Sequence, residues 1–154
     1  MDFFLPQSFF SWCQTTMFAD WLNSSAGALK IVEGAHTVGL LVIVLAIVAV
    51  DLRLLGLIRQ QQSVSDFARQ ASPFICFSIA VVCATGIAQF MPQAVMYGHS
   101  RWFLFKTALF AVAVATYLIA IRKATATAEL TSVRHRKLAA YLSLICWLGV
   151  AIAS

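Results

Sequence analysis

The sequence predicts an all-α fold: an integral membrane four-helix bundle preceded by an interfacial N-terminal segment. Three observations carry this. Hydrophobic residues make up 61% of the 154-residue chain and charged residues only 11%, where a soluble domain carries about a quarter charged residues. The mean hydropathy is +0.85. The apolar residues gather into runs near the ~20-residue length that crosses a hydrocarbon core, and the charges lie between those runs. Helices are expected rather than a barrel, because lipid satisfies no backbone donor and the alternating pattern of a closed barrel is absent.

Residues 1–30 form the interfacial segment. Phe3, Phe4, Phe9, Phe10, Trp12, Phe18 and Trp21 crowd it, and no Lys or Arg precedes Lys30. The basic region of a cleavable signal is therefore missing, while aromatic rings favour the headgroup layer. Residues 31–154 form the transmembrane domain, with spans at about 31–58, 74–91, 102–121 and 138–154. Pro73 is expected to start the second span and Pro92 to stop it. The fourth span is short. Between them, residues 63–72 read as an amphipathic connector, and residues 122–137 as a polar loop or an extension of the third helix. His135, set among charges there, reads as a solvated residue.

Orientation follows from the basic residues. Arg53, Arg59, Arg69, Arg122, Lys123, Arg134, Arg136 and Lys137 fall at one end of the bundle, against Lys30, Arg101 and Lys106 at the other. The positive-inside rule then places the two basic loops in the cytoplasm and both termini in the periplasm. The net charge of +5 forms no basic stripe with interleaved aromatics, which argues against a nucleic-acid partner. Cys13, Cys76, Cys83 and Cys146 lack metal-finger spacing and read as small core residues. There is no glycine-rich phosphate loop, no nucleophile elbow and no pair of carboxylates at one depth. Any chemistry must run on a bound cofactor, quinone or metal.

The stretch "IVEGAHTVGL" opens the first span with Glu33 and His36 on neighbouring positions of one helix face. Intramembrane ionisable residues are costly and usually face the bundle. Counting along each helix puts Gly86, Gln89 and Lys106 in the same outer layer, with His99 and Arg101 just above. Three readings follow. In a structural network, Glu33 pairs with Lys106 and His36 bonds Gln89. In a haem site, His36 is an axial ligand, Gly34, Gly39, Thr85 and Gly86 leave flat walls, and Lys106 or Arg101 meets a propionate. In a copper site, Met91, Met96 and His99 join His36. His99 becomes a second haem ligand only if the loop at 92–101 folds inward. At the other end, Asp51 and Arg53 pair locally or cap the first helix.

The segments "EGAHTVGLLVIVLAIVAVDLRLLGL", "ATGIAQF", "RWFLFKTAL" and "AYLSLICWLGV" resemble an uncharacterised family of small four-helix bacterial inner-membrane proteins. The match runs from Glu33 onward. More distantly, the plan is similar to the CopD-type copper-resistance membrane domain and to HemJ-type protoporphyrinogen oxidases. The latter pair a histidine early in helix one with a Trp-x-x-x-Lys opening of helix three, here His36 with Trp102 and Lys106. That resemblance implies haem b on His36 and a functional cation at Lys106. The Asp-Leu-Arg-Leu-Leu-Gly motif departs from it, so protoporphyrinogen oxidation is not implied. The expectation is a haem b protein of the bacterial inner membrane that passes electrons between the quinone pool and a periplasmic partner. It would work with other membrane subunits or as a homo-oligomer. Copper transport or tolerance, and a cofactor-free accessory subunit, remain the alternatives.

Overall fold

In the computed structural model, residues 6–58, 61, 63–126 and 133–153 are described, with backbone only at 64, 120–126, 133–137, 139 and 153. Strands are absent among them. Two short helices, α1 (Gln7–Gln14) and α2 (Met17–Ser24), precede the long helices α3 (Ala26–Leu54) and α4 (Val64–Phe90). A 3₁₀ turn (Met91–Gln93) leads into α5 (Ala94–Gly98), followed by α6 (Arg101–Ala126) and α7 (Val133–Ala153). Three stretches are long and apolar enough to cross a membrane: Ala26–Leu54, Ser65–Gly98 and Arg101–Ile119. The apolar part of α7, Ala140–Ile152, is shorter.

Local caps, rather than the ends of apolar runs, set the helix boundaries. Ser25 accepts the Ala28 amide at 3.4 Å, so the first long helix starts at Ala26 and not at residue 31. Its end comes before residue 58. Gly56 has φ +79°, a left-handed conformation that glycine adopts without strain. Its amide bonds the Arg53 carbonyl at 3.0 Å and the Leu57 amide bonds Leu52 at 3.0 Å, a Schellman termination. The connector expected at 63–72 is the first part of α4. Ser63 accepts the Asp66 amide at 3.0 Å and donates to Asp66 Oδ2 at 2.6 Å, a start signal strong enough to place Pro73 inside the helix. A mid-helix proline removes one backbone bond; it does not force a start. The helix expected as the third span runs beyond residue 121 to Ala126, and the helix expected as the fourth begins at Val133 instead of 138. Arg134, His135, Arg136 and Lys137 have side chains outside the described residues.

The helices pack in the sequence α4, α3, α7, α6, with α4 and α6 touching at few points. Gly39 lets α3 and α4 close, since a Cβ there would come 2.9 Å from Val82 Cγ2. Leu40, Ile43 and Ile47 of α3 meet Ile75 and Val82 of α4, Ala113 of α6, and Trp147 and Val150 of α7 in one core. Outward faces of the long helices carry exposed Val38, Leu41, Phe74, Phe77, Val112, Leu142 and Ile145. Such continuous apolar exposure suits lipid rather than water.

The N-terminal segment is more than a surface strip. Phe10, Cys13, Ala19 and Leu22 are buried, while Phe9, Trp12, Phe18 and Trp21 are exposed. One face of α1 therefore packs on α5 and the 3₁₀ turn, and its other face presents aromatic rings. Gln14 Nε2 donates to the Pro92 carbonyl at 3.0 Å, and the Phe10 ring lies against Gly98, where a Cβ would come within 2.9 Å.

Candidate functional site

The gap between α4 and α6 is a cavity of ≈ 440 Å³, within the ~300–1,000 Å³ range of small-molecule and cofactor sites. It arises because α3 and α7 hold α4 and α6 apart at this end. His36 and Leu40 enter from α3, Gly86 and Gln89 from α4, Lys106 and Phe110 from α6, and Val150 from α7. Cys83, Ile87 and Thr107 line its outward side and are exposed. Phe90, Tyr97 and Phe103 roof it. Their rings stack, with centroids 4.9 Å apart for Tyr97–Phe103 and 5.5 Å for Phe90–Phe103. Phe10 of α1 meets Phe90 edge-on at 6.3 Å.

His36 is held in one orientation. Its Nδ1 lies 2.9 Å from Thr85 Oγ1. Thr85 donates its single hydroxyl proton to the Val81 carbonyl at 2.7 Å, so its oxygen accepts from the imidazole. That assigns the ring proton to Nδ1 and leaves the lone pair on Nε2. The Val82 backbone also hydrogen-bonds the ring. Gly86 makes room for the ring, since a Cβ there would come 3.4 Å from His36 Cε1. Lys106 is near enough to act electrostatically on the imidazole. Gln89 Nε2 is buried and has no hydrogen-bond partner.

The residues expected in the outer layer thus divide. His36, Gly86, Gln89 and Lys106 share the cavity; Glu33, His99, Arg101, Met91 and Met96 are not among its lining. Glu33 is exposed, about 60° around α3 from the inward stripe of His36, Leu40 and Ile43, as a spacing of three dictates. His36 bonds Thr85 rather than Gln89. His99 does not turn inward: it is exposed, and its Nδ1–H donates to the Val95 carbonyl at 2.8 Å. Met96 is exposed as well. Among the described residues, no group of three or more His, Cys, Asp or Glu side chains is arranged to hold a metal ion.

Sequence reading did not find Thr85 as the partner of His36, nor the aromatic roof. Thr85 stands next to Gly86, but nothing in one sequence reports which threonine faces another helix. Comparison with family models, curated proteins and solved structures gave no match.

Proposed function

We propose that the chain is a four-helix protein of the bacterial inner membrane that binds haem b in its outer half, with His36 Nε2 as the axial ligand. One observation carries the reading: His36 lines the cavity with its Nδ1 2.9 Å from the Thr85 hydroxyl, whose own proton goes to the Val81 carbonyl, an arrangement that matches the tautomer a metal needs. A ligating histidine is ordinarily held by such a bond on its other nitrogen. Three features of the remaining lining support the reading. Gly86 supplies a flat wall beside the imidazole, the aromatic roof supplies another, and Lys106 offers a cation for a propionate. Haem would supply one-electron chemistry, suited to passage between the quinone pool and a periplasmic partner. The excess of basic residues in the sequence segments that follow the first and third long helices supports a cavity on the periplasmic side.

With His99 engaged outside the cavity, His36 is the one imidazole among the described side chains that lines the site. Haem held here would take His36 as its ligand from this chain, and any further ligand would come from a partner. The test is an optical spectrum of the full-length protein purified from haem-replete cells, oxidised and after dithionite, together with His36→Ala. The wild type should show a Soret band that shifts on reduction. The folded variant should lose at least ten-fold in bound haem and recover it with added imidazole. A folded His36→Ala protein with full haem content would overturn the assignment.

A further inference from the structure

The end of the bundle away from the cavity holds a second set of buried polar groups. Asp51 of α3 is only 3% exposed, roughly 22 Å along the helix from His36 at 1.5 Å per residue. The Ser143 hydroxyl of α7 lies across the seam within reach of its carboxyl. Among the described residues its buried Oδ2 has no hydrogen-bond partner. One turn along α7 from Ser143, the wholly buried Trp147 has an indole Nε1 that is also without a partner. The titratable side chains described at this end of the surrounding helices are Arg53 on α3, Asp66, Arg69 and Cys76 on α4, Tyr117 on α6, and Tyr141 and Cys146 on α7, of which Asp66, Arg69, Cys76 and Tyr141 are exposed; the side chains of Arg134, His135, Arg136 and Lys137 on α7 lie outside the described residues. Arg53 follows Asp51 by two positions, and side chains so spaced leave a helix on different faces. The Tyr117 hydroxyl lies toward Ser72 and makes no hydrogen bond of good geometry.

A carboxylate with one oxygen facing apolar packing and a neutral hydroxyl at the other carries a heavy desolvation cost. A carboxylic acid in the same place does not. Nor is the position a surface one: Ile47 and Trp147 close the seam immediately above it.

We propose that Asp51 is a proton-binding site, a neutral carboxylic acid within the membrane that takes its proton from the side of the basic loops. Protonated, the carboxyl both donates and accepts, so it can satisfy Ser143 without leaving a charge in the seam. The ligand is a single proton, and no other co-reactant is involved. The site does not rest on the haem reading, because the helix separates it from His36 by several turns.

Infrared spectroscopy of the full-length protein in lipid vesicles tests this without reference to any cofactor. The wild type should show a protonated-carboxyl C=O band, present at pH 5 where solvated carboxyls are ionised, that moves down in heavy water and disappears in Asp51→Asn. Ser143→Ala, which keeps the acid, should move the band by removing its hydrogen bond. Only carboxylate bands in the folded wild type, or a protonated band that survives in folded Asp51→Asn, would overturn the proposal. If Asp51→Asn does not fold, a band unmoved by Ser143→Ala overturns it equally.

Discussion

The two ends of the bundle place ionisable groups in opposite surroundings. At one end, His36, Gln89 and Lys106 border a void, because α4 and α6 stand apart and only the aromatic roof covers the gap. At the other, Asp51 is shut into a packed seam, where Ile43, Ile47 and Trp147 leave almost no exposed surface. The same helices build both ends. What differs is the bulk between them: the indole of Trp147, edge-on to Phe110 at 6.1 Å, fills the centre, while Gly86 above it adds nothing. A polar group beside a void can take a ligand, and a polar group in a closed seam can take little more than a proton.

Trp147→Ala tests this division most severely. Truncating a fully buried tryptophan should cost about 3–5 kcal/mol, read as a lower midpoint in denaturant titration in detergent micelles. Gln89→Leu, on the cavity side, should change stability by less than about 1 kcal/mol, because it replaces an amide that already lacks a partner. Equal losses from the two substitutions would mean that the cavity end is as tightly packed as the seam.

Thr85→Val sharpens the comparison at the His36 end. Valine keeps the volume but removes the acceptor for Nδ1–H, so the imidazole loses its fixed tautomer. Removing the group that orients a ligand typically costs about 10–100-fold in affinity, and haem titration of the apoprotein should show a loss in that range. Thr85→Ser, which restores the acceptor, should recover most of it. An unchanged affinity in Thr85→Val would show that the hydroxyl does not position the ring. Because Thr85 packs beside Gly86 and not in the central core, its helix content in circular dichroism should stay as in the wild type.

The sequence made the long helices legible, because apolar runs of membrane length leave few alternatives. It did not make their ends legible. The true starts at Ala26 and Val64 depend on single hydroxyls, Ser25 in the stretch read as interfacial and Ser63 in the one read as connector, and Pro73 was the louder but weaker signal. The cavity was half legible. Depth counting brings His36, Gly86, Gln89 and Lys106 to one level, because helical rise is nearly invariant. It cannot give the rotation of each helix, so Glu33 and Arg101 share that region of the chain without sharing the cavity. The burial of Asp51 was hidden for the same reason: only the fold brings Ser143 opposite it, from a position 92 residues away.

The smallest expected effect concerns how far a disturbance at the seam end travels. Ser63 caps α4 at the Asp51 end of the bundle, and its hydroxyl both accepts the Asp66 amide and donates to the Asp66 carboxylate. Ser63→Ala should cost about 1 kcal/mol, the usual loss of an N-cap. Its effect should stay in the first turns of α4. Pro73 already interrupts the backbone bonding between that cap and Thr85, and Ile75 anchors the helix just beyond it, wholly buried. Haem affinity should therefore match the wild type, and the costs of Ser63→Ala and Thr85→Val should add within about 0.5 kcal/mol in the double variant. A larger coupling would mean that α4 moves as one rigid rod, and the two ends would then be parts of a single device.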